Sequence, residues 1–123
     1  MPDYTAPLQQ MRFTIEHLAD FKDVAALQAY STVDLDTVEA VLEEAGRFAG
    51  GVLAPINWLG DRKGVQVVDQ AVQVPPEFTE AYAKFAEGGW PGIASNPDFG
   101  GQGLPKTISI ACDEMWAAAN VAF

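Results

Sequence analysis

The segment LDTVEAVLEEAGRFAGGVL, residues 35–53, decides the fold of this chain. Its apolar side chains recur at intervals of three and four residues, the spacing of one face of an α-helix: Leu35, Val38, Val41, Leu42, Ala45, Phe48, Val52 and Leu53. Asp34 precedes the segment as a candidate N-cap, and Asp36 and Glu39 place negative charge near the positive end of the helix dipole. We therefore predict that this segment forms the long amphipathic helix of the domain.

The C-terminal part of this helix contains residues that disfavour helical structure. Gly50 and Gly51 each cost about 1 kcal/mol relative to alanine, unless a neighbouring helix packs closely against them. Pro55 is expected to bend or end the helix, although Trp58 and Leu59 can extend it by a turn beyond a kink.

Two weaker helical patterns precede the central helix. Pro7 can occupy the first position of a helix, and the apolar stripe of that helix consists of Leu8, Met11, Ile15 and Leu18. The apolar residues Val24, Leu27 and Tyr30 indicate a separate turn or a short helix.

The helical period disappears between Asp61 and Pro75, where valines recur on both sides of the polar pair Asp69-Gln70. Valine-rich segments separated by a turn predict a small hairpin. Because an isolated two-stranded hairpin is marginal in water, we expect this insertion to lie on the helices or to remain a loop.

Two further helices are predicted downstream. The first opens at Pro76 and stops at Gly88-Gly89; its apolar positions are Phe78, Ala81, Tyr82 and Phe85. Trp90 and Ile93 then return the chain over the core. The last helix begins near Pro105, with Ile110 and Trp116 toward its sides. Its predicted inner face consists of Ile108, Cys112, Met115 and Ala119.

The glycine-rich stretch PDFGGQGLP, residues 97–105, precedes this last helix. Its glycines permit positive φ angles and the close approach of another backbone. The sequence GGQGLPKT resembles a phosphate-binding loop, but that motif needs glycine immediately before the lysine, and Lys106 follows Pro105. A dinucleotide fingerprint needs its third glycine where Lys106 stands, and a strand ahead of it. We interpret the stretch as a tight connection between helices.

Composition limits the classes of function. A chain of 123 residues, 49% of them apolar, fits one compact domain, and no apolar run reaches the roughly 20 residues of a membrane span. Seven basic against seventeen acidic residues give a net charge of −10, which disfavours nucleic acid and anionic lipid as partners. The N-terminus lacks the features of a secretory signal and Cys112 has no disulfide partner, so we expect a cytoplasmic protein.

The polar residues predict neither a catalytic group nor a metal site. His17 has no second ligand at metal-binding spacing, and we interpret it as a surface residue. Cys112 should face inward, where a thiol behaves as a small hydrophobe. The neighbours in Glu43-Glu44 and in Asp113-Glu114 diverge by about 100° around their helices and are expected to be solvated. The tryptophans are expected in the core or at an interface: Trp58, Trp90 and Trp116.

The order of these segments resembles the N-terminal α-helical region of the acyl-CoA dehydrogenase superfamily. The resemblance rests on the long helix from Leu35, the Pro76 helix ending in EGGW, the PDFGGQGLP loop and the helix containing DEMWAAANVAF. The start, with Tyr4-Thr5-Ala6-Pro7-Leu8 and Met11-Arg12-Phe13, is similar to an extra N-terminal segment in a longer bacterial branch that includes the 3-methylmercaptopropionyl-CoA dehydrogenase type.

The resemblance implies an FAD enzyme that desaturates an acyl-CoA thioester. In the family a glutamate removes the α-proton, hydride passes from the β-carbon to flavin N5, and the electrons go to an electron-transferring flavoprotein. The flavin lies between a middle β-domain and a C-terminal helical domain, and the latter carries the glutamate. Family members commonly form dimers or tetramers. The resemblance therefore implies a partnership with the remainder of such an enzyme and no catalysis by this chain alone.

We accordingly expect a mainly α-helical domain over residues 1–123, with an N-terminal extension at 1–33, a helical core at 34–123 and a polypeptide that continues beyond Phe123. Since this region of the family packs over the acyl end of the substrate cavity, the resemblance implies Phe123 and Asn120 as substrate-binding candidates. A packing or capping role is the alternative for both. The rival to an enzyme fragment is a stand-alone helical protein–protein interaction module, with an apolar patch near Trp116 and Phe123.

Overall fold

The computed structural model describes residues 4–123, so residues 1–3 of the predicted N-terminal extension lie outside the described part. The described residues form six α-helices and one antiparallel two-stranded sheet. In chain order these are α1 (Leu8–Phe13), α2 (Phe21–Ala25), α3 (Leu35–Phe48), α4 (Ala54–Lys63), β1 (Gln66–Val68), β2 (Ala71–Gln73), α5 (Pro76–Glu87) and α6 (Lys106–Ala119). The predicted mainly α fold with a hairpin insertion is confirmed.

Helix α3 forms in the segment predicted as the long helix, and it is the central element of the fold. It begins after Asp34, whose Oδ1 accepts hydrogen bonds from the Thr37 backbone N–H at 2.8 Å and from the Thr37 hydroxyl at 2.7 Å. These bonds satisfy one of the backbone donors that the start of a helix leaves free. The buried stripe of α3 packs against α6 and consists of Val38, Leu42 and Ala45.

The two glycines after α3 do not end the helix. The chain continues through a π-turn, Ala49–Leu53, directly into α4, which contains Pro55 in its first turn and ends at Lys63, just before Gly64. A π-turn pairs each N–H with the carbonyl five residues back, and this wider turn accommodates the proline that would clash inside a regular α-helix. The predicted extension past Pro55 is therefore confirmed, and it is longer than expected.

The first predicted helix is also split by a π-turn. Helix α1 passes into Thr14–Leu18, and Met11 and Ile15 are buried as predicted. The prediction for Leu18 is wrong, since its side chain is 74% exposed. The extra residue in the π-turn rotates Leu18 off the apolar stripe. The weak pattern that follows corresponds to α2 and to a 3₁₀ turn, Gln28–Tyr30.

The hairpin forms where the valines predicted it. Val67 pairs with Val72, and the turn residues Asp69 and Gln70 both have positive φ angles, 51° and 62°. The expectation that a hairpin would lie on the helices is wrong, because every residue of both strands is exposed. The turn geometry matches the twist of the paired strands. It therefore supplies part of the stabilisation that was expected from packing on the helices.

Helices α5 and α6 complete the core. Ile108, Cys112, Met115 and Ala119 on α6 are buried as predicted, and Trp116 is buried with them. Helix α5 buries Ala81, whereas Tyr82, one of its predicted apolar positions, is 60% exposed. Tyr82 points past the edge of the core toward Phe123, with their ring centroids 6.5 Å apart. None of the helices in residues 4–123 is long and apolar enough to cross a membrane.

Candidate functional site

Aromatic side chains gather where the end of α6 meets α3 and α5. The rings of Trp116 and Phe48 lie 5.3 Å apart, and those of Trp116 and Trp90 lie 5.2 Å apart. We call the group the aromatic cluster; it consists of Phe48, Tyr82, Phe85, Trp90, Trp116 and Phe123. The mutual T-shaped and tilted angles are those that aromatic quadrupoles favour. This cluster forms an apolar surface that is buried on one side and open on the other.

Phe123 forms the open edge of the aromatic cluster. Its ring lies 5.5 Å from that of Phe85 at an angle of 80°, and the side chain is half-buried. Its backbone N–H donates to the carbonyl of Asn120 at 3.2 Å, so the last residues turn back over the end of α6. The predicted substrate-binding candidate therefore presents one apolar face outward and packs with the other.

Asn120, the second predicted candidate, is almost completely buried, with 2% of its surface exposed. Its Nδ2 donates to the Leu53 carbonyl at 3.1 Å, and its Oδ1 accepts from the Ala122 N–H at 3.2 Å. The carboxamide thus has internal partners on both sides. Asn120 and Phe123 are three residues apart and lie in the same turn, but only Phe123 reaches the surface.

The Leu53 carbonyl belongs to the π-turn that follows α3. At Gly50 in the same turn, the N-terminal segment crosses so closely that a Cβ would lie 2.9 Å from the Tyr4 carbonyl oxygen. The Tyr4 side chain reaches toward α6, where burial and the Glu114 carboxylate raise the pKa of its phenol. The N-terminal segment and Asn120 therefore contact the π-turn at two different residues, Gly50 and Leu53.

The glycine-rich loop, residues 97–105, is a connection held by its own backbone. The N–H groups of Gly101, Gln102, Gly103 and Leu104 donate to carbonyls of residues 92–96, and the Gln102 side chain donates to the Gly89 carbonyl at 3.0 Å. A Cβ on Gly101 would overlap the Ser95 carbonyl. The loop amides that resembled a phosphate cradle in sequence are thus engaged within the loop and the preceding turn.

Lys106, the lysine of the near-phosphate motif, donates to the Ser109 hydroxyl at 3.1 Å on the first turn of α6. The other polar candidates lie where the sequence placed them. His17 and the two carboxylate pairs are exposed. Within residues 4–123, no three His, Cys, Asp or Glu side chains lie close enough together to hold a metal ion. Cys112 is buried, and desolvation together with the nearby Asp113 raises the pKa of its thiol to about 12.

Trp58 differs from the other two tryptophans. It is 52% exposed on α4 and lies under the Arg62 guanidinium, whose carbon is 5.5 Å from the centre of the indole. Trp90 and Trp116 instead belong to the aromatic cluster. Trp116 therefore lies in the core, as expected. Trp58 instead forms a cation–π pair at the surface.

Apart from the aromatic cluster, a concave groove lies between α1, the π-turn that follows α1, and α6. This groove has a volume of about 480 Å³, and its lining combines apolar residues with Lys106 and Glu114. Its apolar lining includes Met11, Ile15, Ile110 and Ala111. Ile110 is exposed there, consistent with its predicted place at the side of the helix.

Sequence reasoning missed the contact between Asn120 and the π-turn. The two partners are 67 residues apart in the chain, and the acceptor is a main-chain carbonyl that any residue type at position 53 would supply. The only signal available in the sequence is the position of Asn120 directly after the last apolar turn of α6, since asparagine is favoured where a helix ends.

Comparison with known proteins gives two similar sequences. The chain is 38% identical over 120 residues to the 3-methylmercaptopropionyl-CoA dehydrogenase of Ruegeria pomeroyi, and the match covers 98% of this chain. It is 27% identical over 125 residues, 99% of the chain, to a broad-specificity linear acyl-CoA dehydrogenase of Mycobacterium tuberculosis. In both cases the chain spans only 20% of the relative's length. No family model matches the chain.

Proposed function

Because the chain is homologous to acyl-CoA dehydrogenases over nearly its whole length, as its motifs predicted, we propose that it is the N-terminal helical domain of an FAD-dependent acyl-CoA dehydrogenase. The complete enzyme would introduce a double bond between the α and β carbons of an acyl-CoA thioester. The observation that carries this proposal is the alignment, which runs through 98% of the chain and 20% of the Ruegeria pomeroyi protein.

In this proposal the flavin site and the catalytic glutamate belong to the remainder of the enzyme. The described residues do not fit a flavin site, since the amides of the glycine-rich loop donate to backbone carbonyls and the chain's net charge of −10 repels a diphosphate. The chain would contribute a wall of the substrate cavity and the packing that supports it. By itself it would be inert.

Phe123 is the proposed contact with the acyl chain, with Asn120 directly beside it. The outward side of the Phe123 ring continues the apolar surface of Phe85 and Tyr82. Covering such a surface with an alkyl chain stabilises the complex by about 0.8 kcal/mol for each CH₂ removed from water. The Asn120 carboxamide is engaged internally, so its part in the site would be indirect.

The proposal extends to the assembly. Residues 1–33 and 34–123 would act as one domain, because Tyr4 and Ala6 pack against Gly50 and Gly46 of the central helix region. The complete protein would be a cytoplasmic homo-oligomer that passes its electrons to an electron-transferring flavoprotein.

Purification of the chain by itself tests whether the flavin site and the catalytic glutamate lie in the remainder of the enzyme. We expect no flavin absorbance in the purified protein, and no reduction of an artificial electron acceptor when FAD and acyl-CoA thioesters of several lengths are added. The complete Ruegeria pomeroyi relative serves as the positive control. Flavin binding with acyl-CoA-dependent acceptor reduction by the isolated chain would overturn the proposal that the chemistry lies elsewhere.

A stand-alone interaction module is the second candidate function, and the apolar groove between α1 and α6 is the observation that favours it. The reading frame separates the two. Several hundred further codons with acyl-CoA dehydrogenase sequence would support the enzyme, whereas a stop codon directly after Phe123 would support the module.

A further inference from the structure

We infer that Asn120 is a positioning residue: its carboxamide fixes the place of Phe123 by tying the end of α6 to the π-turn at Ala49–Leu53. The functional meaning of this inference rests on the proposed function, in which Phe123 contacts the acyl chain. The structural relationship itself stands on hydrogen bonds within residues 50–123.

Asn120 is the point where the chain leaves the helix. Its backbone N–H still donates to the Trp116 carbonyl at 2.9 Å, but its φ and ψ angles are −160° and 93°, so helical structure stops there. The Oδ1 atom then accepts from the Ala122 N–H, and the Asn120 carbonyl accepts from the Phe123 N–H, both at 3.2 Å. These two bonds close a short turn that brings the Phe123 ring back onto Phe85.

The other half of the carboxamide fixes this turn to the core. Nδ2 donates to the Leu53 carbonyl, and both residues are buried, with 2% and 0% exposure. Only a side chain with a donor and an acceptor in this arrangement can make both bonds. An ionised aspartate retains the acceptor and loses the donor, and leucine retains the branched shape and the number of heavy atoms but loses both.

The π-turn has little freedom to follow a change at position 120. The Tyr4 carbonyl lies against Gly50, so the N-terminal segment packs on the turn at a second point besides Asn120. Leu53, at the end of the turn, is completely buried. A lost bond to its carbonyl would leave a buried acceptor without its partner and release the turn that carries Phe123.

The test follows the contact between the Phe123 and Phe85 rings by NMR in the purified chain, with phenylalanine labelled and no acyl-CoA or flavin present. In Asn120→Asp, the carboxyl group should be neutral at about pH 5, because burial raises the pKa of a carboxylic acid. It can then donate to the Leu53 carbonyl and accept from the Ala122 N–H. At about pH 8 the ionised group cannot donate, and we expect the nuclear Overhauser signal between the rings to disappear.

Two further variants make the result specific. Ala118→Asp adds the same charge to the last turn of α6 at an exposed position, and it should retain the signal at both pH values. Asn120→Leu should lose the signal at both pH values while its circular dichroism remains helical, and this loss tests the inference if the aspartate variant does not fold. A signal that persists in Asn120→Leu, or in Asn120→Asp at about pH 8, would overturn the inference, because packing alone would then hold Phe123.

The outcome is independent of the proposed function. Loss of the ring contact without acyl-CoA dehydrogenase activity in the complete protein would retain the positioning role and reject the enzyme. An active complete protein with an unchanged ring contact in both Asn120 variants would do the reverse.

Discussion

The rings of Trp116 and Phe48 lie 5.3 Å apart at an angle of 88°, and this edge-on contact joins α6 to α3. The ring centroid of Trp116 also lies 5.7 Å from that of Phe85 and 5.2 Å from that of Trp90. Trp116 therefore contacts three of the other five rings of the aromatic cluster, and the stability of the domain should depend on it.

Replacement of Trp116 by alanine should destabilise the domain by about 3–5 kcal/mol, because a large aromatic side chain is removed from a packed site. Urea unfolding followed by far-ultraviolet circular dichroism measures the free energy. Trp58→Ala is the matched control: Trp58 is 52% exposed, and its loss should change stability by less than about 1 kcal/mol. Equal effects of the two variants would contradict the assigned core position of Trp116.

Gly101→Ala should destabilise the domain by about 1–3 kcal/mol, because the added methyl group would overlap the Ser95 carbonyl. Gly51→Ala offers the opposite case, since nothing lies within 4 Å of a Cβ at that position. It should stabilise the helix by about 0.5–1 kcal/mol through its higher helix propensity. Thermal unfolding of the two variants measures both signs, and a tolerated methyl group at Gly101 would argue against the close backbone approach.

The Asp34 cap should make stability fall in acid. Hydrogen bonds from Thr37 lower the pKa of Asp34 in the folded state, so its contribution is present above the unfolded pKa and is lost as the pH falls through the lowered folded value. Asp34→Ala should be less stable than the parent at neutral pH, and the difference should shrink below about pH 4. Asp34→Asn retains an acceptor that does not titrate, and its advantage over alanine should persist in acid. Melting temperatures across this range give the comparison.

Cys112 should be unreactive in the folded chain. With its pKa raised from 9.0 to about 12, the thiolate fraction at about pH 8 falls roughly a thousandfold, and alkylation by iodoacetamide should slow by at least that factor relative to the chain in urea. Since the folded pKa is the higher one, the stability from this group is present below about pH 9 and is lost as the pH rises toward 12. Cys112→Ser should lack this alkaline loss. Rapid labelling of the native protein would contradict the buried position.

Gln70→Gly should stabilise the hairpin alone. Gln70 has a φ angle of 62°, a conformation that disfavours a residue with a Cβ by roughly 1–2 kcal/mol relative to glycine. Because neither strand is buried, the amides of the hairpin should exchange at least about fivefold more slowly, while the global unfolding free energy changes by less than about 0.5 kcal/mol. Hydrogen exchange by NMR and urea unfolding separate the two effects. A large global effect would indicate that the hairpin packs on the helices.

The sequence predicted the helices best where side-chain periodicity and terminal signals agree. The Asp34 cap and the buried stripe of α6 illustrate this agreement. Leu18 illustrates its limit, because apolar spacing assumes the regular α-helical turn and a π-turn changes the direction of every residue after it. Pro55 is likewise expected to bend or end a regular α-helix, whereas the preceding π-turn lets the helix continue through it.

The candidate site was predictable in its position but not in its internal contacts. Phe123 and Asn120 follow from the resemblance of the DEMWAAANVAF helix to the family. The acceptor for Asn120 does not, since a main-chain carbonyl in a distant turn leaves no trace in residue types. The exposed valine hairpin also differs from expectation, because turn conformations at Asp69 and Gln70 are not readable from β-propensity.

The bonding of the glycine-rich loop has a consequence for how this region can vary in evolution. The backbone N–H groups of Gly103 and Leu104 donate to the carbonyls of Ser95 and Ile93. These hydrogen bonds fix the number of residues that can connect Ile93 to the first turn of α6. A single inserted or deleted residue would shift the helix along its axis and rotate its buried face by about 100°. Relatives should therefore exchange residues such as the exposed Phe99 freely while they keep the number of residues between Ile93 and Lys106 constant.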